Sequence, residues 1–192
     1  MDYAQSSPGG GVIFYTKVDR ENATCLVGIG LRKPLVGEGS GISTGGFSDC
    51  DEHLKKPIGH YTLLQDEVYR EACEELIGFE TLMTRETFIK RLEPVIGFTV
   101  RTPDANKLHS PFYYGMHVTR AEQQVIEEQL EESDEHIGVV FVPMRWNKEL
   151  TLDTLEEGIS VSLPEPLFHK HEIVAFQWLA WGLQQGTVGR DF

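Results

Sequence analysis

Apolar residues run almost unbroken through GVIFYTKV (11–18) and TCLVGIGL (24–31), with the polar stretch DREN between them. Short apolar runs around a turn-forming segment predict two strands joined as a hairpin. From Thr62 to Ile77 the period changes: Leu63, Leu64, Val68, Ala72, Cys73, Leu76 and Ile77 recur at helical spacing, and Gly78 stands where a left-handed residue would end the helix. PVIGFTVRT (94–102) and FYYGMHVT (112–119) read as further strands. EQQVIEEQLEESDEH reads as a short acidic helix running into a loop, IGVVFVPM as a last core strand, and EIVAFQWLAWGLQQ as an apolar-rich helix. Residues 37–49, GEGSGISTGGFSD, hold too many glycines for a helix or a central strand, and are expected to form a loop that something approaches closely. Two β-rich halves around one helix, with another helix at the end, predict an α/β fold: a mixed sheet covered on both faces, an α/β/α sandwich.

The chain length, 192 residues, suits one domain over 11–192 after a flexible N-terminus over 1–10. Its 17 Lys and Arg against 30 Asp and Glu give a net charge of −13, which argues against binding duplex DNA, because phosphate contacts need clustered cations. Acidic clusters suit divalent cations instead. Three cysteines without CxxC spacing do not describe a disulfide framework, so a reducing cytoplasmic setting is expected. No basic-then-apolar leader opens the chain and no run of eighteen apolar residues occurs, so no membrane span is expected.

The densest chemistry lies in YREACEELIGF (69–79). On a helix Glu74, Glu67, Glu71 and Glu75 fall at roughly 300°, 320°, 0° and 40°, one sector about 100° wide. Like charges at this spacing destabilise a helix, so something positive should compensate. Mg²⁺ or Mn²⁺ would do so through hard oxygen ligands, and Arg70 could brace one carboxylate with a bidentate pair. A solvated acidic helix face is the competing reading.

REACEELIGF, preceded by GGFSDCDE, resembles the Nudix hydrolase signature G-x5-E-x7-R-E-U-x-E-E-x-G-U, where U is aliphatic. Gly46, Glu52, Arg70, Glu71, Ala72, Glu74 and Glu75 match in order, and Gly45 completes the usual Gly-Gly pair. Two departures stand out. Seventeen residues separate Glu52 from Arg70 where the signature has seven, and two residues rather than one precede Gly78.

The resemblance implies a Nudix-type α/β/α sandwich and Mg²⁺-dependent (or Mn²⁺-dependent) hydrolysis of a phosphoanhydride in a nucleoside diphosphate linked to another moiety. It assigns Glu71 and Glu75 as principal metal ligands, Glu74 as a further ligand, the Gly45 carbonyl as another oxygen, and Arg70 as the group that orients the glutamates. Glu52 would support the loop and helix. The loop before the late strand implies a general base or extra ligand, with Glu135 first and Glu132 second. Phe47, Tyr61, Tyr113 and Tyr114 are candidates for stacking on a base, although aromatics in strands are more often core. Arg32, Lys33, Lys55 and Lys56 could meet the diphosphate. Pro94 stands about where ADP-ribose pyrophosphatases of the family carry a proline, which favours ADP-ribose or a nucleotide sugar as the small-molecule nucleotide substrate; a proline opening a strand also needs no functional reason. The alternatives are an RNA cap, a dinucleoside polyphosphate or a nucleoside triphosphate as substrate, and a non-catalytic nucleotide-binding or interaction module.

His169 and His171 offer only two zinc ligands, and Cys73 reads as a small core residue. No serine-hydrolase elbow or P-loop occurs. Phe176, Trp178 and Trp181 could serve the core or a homodimer interface.

Overall fold

The computed structural model describes residues 6–32, 40–42, 44–47, 60–101, 108–130, 133–134, 136–149, 152–156, 159–162 and 170–189. Among these residues the backbone forms a ten-stranded sheet and five helices. The strands are β1 (Ser6–Asp19), β2 (Thr24–Arg32), β3 (Ser40–Ile42), β4 (Thr44–Phe47), β5 (Glu93–Gly97), β6 (Val100–Arg101), β7 (Leu108–His117), β8 (His136–Trp146), β9 (Leu152–Glu156) and β10 (Ile159–Ser162). The helices are α1 (His60–Glu75), α2 (Phe79–Leu82), α3 (Arg85–Arg91), α4 (Arg120–Glu128) and α5 (Lys170–Gln185). Strands run in the order β10-β9-β8-β2-β1-β7-β5, with β3 beside β2, β4 beside β1 and β6 beside β7. Among the described residues only β1 and β7 pair in parallel, which makes the sheet mixed.

Alternation along β1 builds both halves of the core. Successive side chains of a strand point to opposite faces. Val12 and Phe14 pack with Val68 and Ala72 of α1, with Leu76 just beyond its end, and with Phe79, Phe88, Met116 and Ile126; Ile13 and Tyr15 pack with Phe176, Leu179 and Leu183 of α5. All four β1 residues are fully buried, so one strand anchors the two helical layers. The α5 aromatics divide accordingly: Phe176 is buried, whereas Trp178 and Trp181 stack edge to face on the exposed side.

Several expectations need correction. β1 begins at Ser6, so residues 6–10 are no flexible start: they pair with Leu108–Phe112 of β7. The glycine-rich stretch is not all loop, because Ser40–Ile42 pairs with β2 and Thr44–Phe47 with β1. Long-range partners supply the pairing that local propensity withholds. The short helices α2 and α3 and the β9–β10 hairpin were not among the expected elements. α1 ends at Glu75, and Gly78, with φ +96°, turns the chain into α2.

β1 also forks the sheet. Its second half pairs with β2, whereas Gly9–Val12 pair with β4, setting Gly10 opposite Gly46 and Gly11 opposite Gly45. α1 lies on this glycine block, close enough that a Cβ at Gly10 would overlap Val68 Cγ2 and come within 3.2 Å of Leu64 Cδ1. The close approach anticipated at the glycines is therefore that of the helix. Gly10→Ala is expected to cost about 1–2 kcal/mol, because Val68 is branched and stiff at χ1. Thermal unfolding should show it as a fall in Tm of roughly 2–8 °C; an unchanged Tm would mean that α1 can lift without penalty.

Candidate active site

Docking of α1 on the β1–β4 glycines turns its acidic sector edge-on to the sheet, and burial grades across it. Side-chain exposure falls from 59% at Glu74 through 18% at Glu67 and 16% at Glu71 to 5% at Glu75. The order follows the helical angles, so the four carboxylates that the sequence groups together occupy different environments.

Arg70 holds the outer three. Its guanidinium donates to Glu67, Glu71 and Glu74, and these carboxylates raise its pKa against the opposing effect of burial, the hydrogen bond to Glu67 most of all. The Glu71 carboxyl is pushed above its ordinary value chiefly by burial, with Glu74 and Glu67 adding repulsion and Arg70 opposing both. Lost solvation therefore outweighs the arginine at Glu71.

Glu75 points inward. Its Oε1 lies 3.7 Å from Nδ1 of His136, the first residue of β8, which is 1% exposed. Burial, reinforced by the positive charge of Arg32, holds the His136 pKa down at about 4, so the imidazole is neutral at pH 7. Arg32 stands opposite His136 in the β2–β8 pairing. Upstream, a tight turn fixes the histidine backbone: the His136 N–H donates to Ser133 Oγ at 3.0 Å, and the Ser133 N–H donates to the His136 carbonyl at 3.1 Å.

The other candidates separate clearly. Gly45 and Gly46 are in β4 under α1. Phe47 ends β4 opposite Gly9, and its side chain lies outside the described residues. Glu52, Glu132, Glu135, Lys33, Lys55, Lys56 and His169 also lie outside them, as does the side chain of Tyr61. Tyr114 is corrected: at 1% exposure its ring packs against Phe112 in the core beneath α1, with no face open to a base. Tyr113 points to the opposite face, is buried, and stacks near His171. Pro94 sits on the outermost strand β5 next to a register shift, a position that tolerates a missing N–H. Cys73 is half-buried against the α1-side core, and Cys25 is buried in the other half.

His136 is the residue the sequence reading missed. One histidine beside an apolar strand carries no local signal, and only the β2–β8 pairing brings it to α1.

The donor set suits a hard divalent ion: carboxylate oxygens, the innermost buried beside a neutral imidazole. Among the described residues, however, no three His, Cys, Asp or Glu side chains converge on one point, because Arg70 gathers the outer carboxylates. Binding an ion through Glu71 as well as Glu75 would draw Glu71 from that guanidinium. No helix among the described residues is long and apolar enough to cross a membrane.

No protein-family model and no curated protein matches the chain. Solved structures do. A MutT/nudix family protein from Enterococcus faecalis aligns at 15% identity with a TM-score of 0.58, covering 93% of this chain and 62% of that one. This chain thus spans less than two thirds of the Enterococcus protein. A NUDIX hydrolase from Alicyclobacillus acidocaldarius aligns at 11% identity with a TM-score of 0.56, covering 98% of this chain and 95% of that one. A mixed sheet between helical layers, with α1 seated on the β1–β4 glycines and matched along nearly the whole chain by both proteins, is the Nudix fold.

Proposed function

We propose that the protein is a Mg²⁺-dependent (or Mn²⁺-dependent) pyrophosphohydrolase acting on a nucleoside diphosphate linked to a second moiety, with ADP-ribose or a nucleotide sugar as the favoured substrate. The observation that carries this reading is the burial of Glu75 beside Glu71 on α1, within a fold shared with the NUDIX hydrolase from Alicyclobacillus acidocaldarius. A solvated acidic face has no reason to bury its last carboxylate. Desolvating a charge costs several kcal/mol unless a partner offsets it, and a divalent cation is such a partner.

Glu71 and Glu75 would hold the ion, with Glu74 and the Gly45 carbonyl as further oxygens. The bound cation would polarise the phosphoryl group and acidify a water. Arg70 holds the outer glutamates in place by its hydrogen bonds until Glu71 is needed. Glu135, next in sequence to His136, is the first candidate to take the proton from the attacking water, and Glu132 the second. Arg32 is a candidate for the diphosphate and Phe47 for the base.

The test is incubation with ADP-ribose, NADH, ADP-glucose, diadenosine polyphosphates, nucleoside triphosphates and capped RNA in Mg²⁺ or Mn²⁺, with products separated by chromatography. AMP released from ADP-ribose or ADP-glucose is the expected result. Hydrolysis confined to capped RNA, a dinucleoside polyphosphate or a triphosphate would keep the chemistry and replace the substrate. A nucleotide-induced thermal shift without turnover would make the protein a binding module.

A further inference from the structure

We infer that His136 is a positioning residue that clamps the Glu75 carboxylate from behind by donating a hydrogen bond from Nδ1 to Oε1, tying the Ser133–His136 turn to helix α1. This rests on the proposed function only in what it says about catalysis; the contact itself does not depend on it. Both side chains are buried, and the imidazole Nδ1 makes no hydrogen bond as the structure stands. A buried ring nitrogen without a partner costs about 1–3 kcal/mol, so it should find the nearest acceptor. Glu75 Oε1 at 3.7 Å is such an acceptor, about 0.7 Å beyond an ordinary N–H···O distance.

The backbone on either side restricts the other ways this contact could form. His136 is held by the reciprocal Ser133 bonds and by its place opposite Arg32 in β2. Glu75 is held by α1, whose neighbouring Ala72 and Leu76 are fixed in the core. Two rigid backbones aim one donor at one acceptor.

The test has two arms. In protein with ¹⁵N-labelled histidine and no added metal, NMR should find the His136 proton on Nδ1, with a resonance that moves in Glu75→Gln. A proton on Nε2, with an Nδ1 signal indifferent to Glu75→Gln, would overturn the inference whether or not the protein is an enzyme. In the kinetic arm His136→Phe, which fills the space without a donor, should lower kcat roughly 10- to 100-fold with KM changed less than about twofold. His136→Asn, whose amide N–H stands near the Nδ1 position, should recover most of the loss. His136→Phe turning over like the wild type, or His136→Asn as slow as His136→Phe, would also overturn it. If the wild type hydrolyses nothing, the proposed function falls and the NMR arm still decides the contact.

Discussion

Glu75→Gln is expected to lower turnover by on the order of 10³-fold, with circular dichroism and Tm close to the wild type. Glutamine keeps the shape and an oxygen that can accept from His136, and removes only the charge a cation would need. The burial gradient along α1 predicts a graded series. Glu71→Gln, one turn away and largely covered, should lose about 10²-fold, whereas Glu74→Gln, 59% exposed and paired only with Arg70 on the outside, should lose less than about tenfold. Steady-state rates at saturating Mg²⁺ measure all three. Equal losses at Glu74 and Glu75 would show that burial does not rank the ligands. The resemblance already sets Glu74 behind Glu71 and Glu75; burial agrees with that order and separates the two principal ligands from each other.

The second large effect is on stability in acid. Arg91, in the last turn of α3, donates to both oxygens of Glu122, at 2.6 and 2.9 Å, and to the His117 carbonyl at 2.6 Å. Glu122 also closes a capping box at the start of α4, accepting from the Thr119 N–H at 2.7 Å while Thr119 accepts from the Glu122 N–H. Burial alone would raise the Glu122 pKa, but the hydrogen bonds from Arg91 and Thr119 outweigh it and bring it down to about 2. A carboxylate whose pKa is depressed on folding stabilises the protein above its unfolded value, near 4.5, and loses that contribution as pH falls toward 2. The contribution is on the order of 2–3 kcal/mol, and the unfolding free energy obtained from urea titrations should decline by that much more between pH 6 and pH 2 in the wild type than in Glu122→Gln. Parallel curves for the two proteins would mean that the pair adds nothing beyond its neighbours. Arg91→Ala should be the more damaging change, since it leaves Glu122 partly buried without its cation.

Much of this architecture is legible before any coordinates. The unbroken apolar run around Ile13 and the helical spacing of Val68, Ala72 and Leu76 specify the strand and helix that meet in the core, because a strand buried on both faces is apolar throughout and a helix buried on one face is apolar at its own period. Thr84 and Thr119 cap the starts of α3 and α4, a signal that the reading of the sequence did not use. β3 and β4 escape because glycine carries no pattern, and their strand character comes from partners far away in sequence. Tyr114 was misassigned because alternation tells which residues share a face and leaves open whether that face meets solvent, a ligand or a helix. The acidic sector was visible as a cluster, but its gradient depends on how α1 tilts on Gly10. His136 was invisible for a simpler reason: its meaning lies in a carboxylate on another element.

The most direct measurement of the central claim is AMP release from ADP-ribose by the purified protein, followed with Mg²⁺ present and again after EDTA. The account predicts release that stops on chelation and resumes when Mg²⁺ or Mn²⁺ is restored. Release that continues undiminished in EDTA, or ADP-ribose bound and recovered intact at every divalent ion tried, would contradict it.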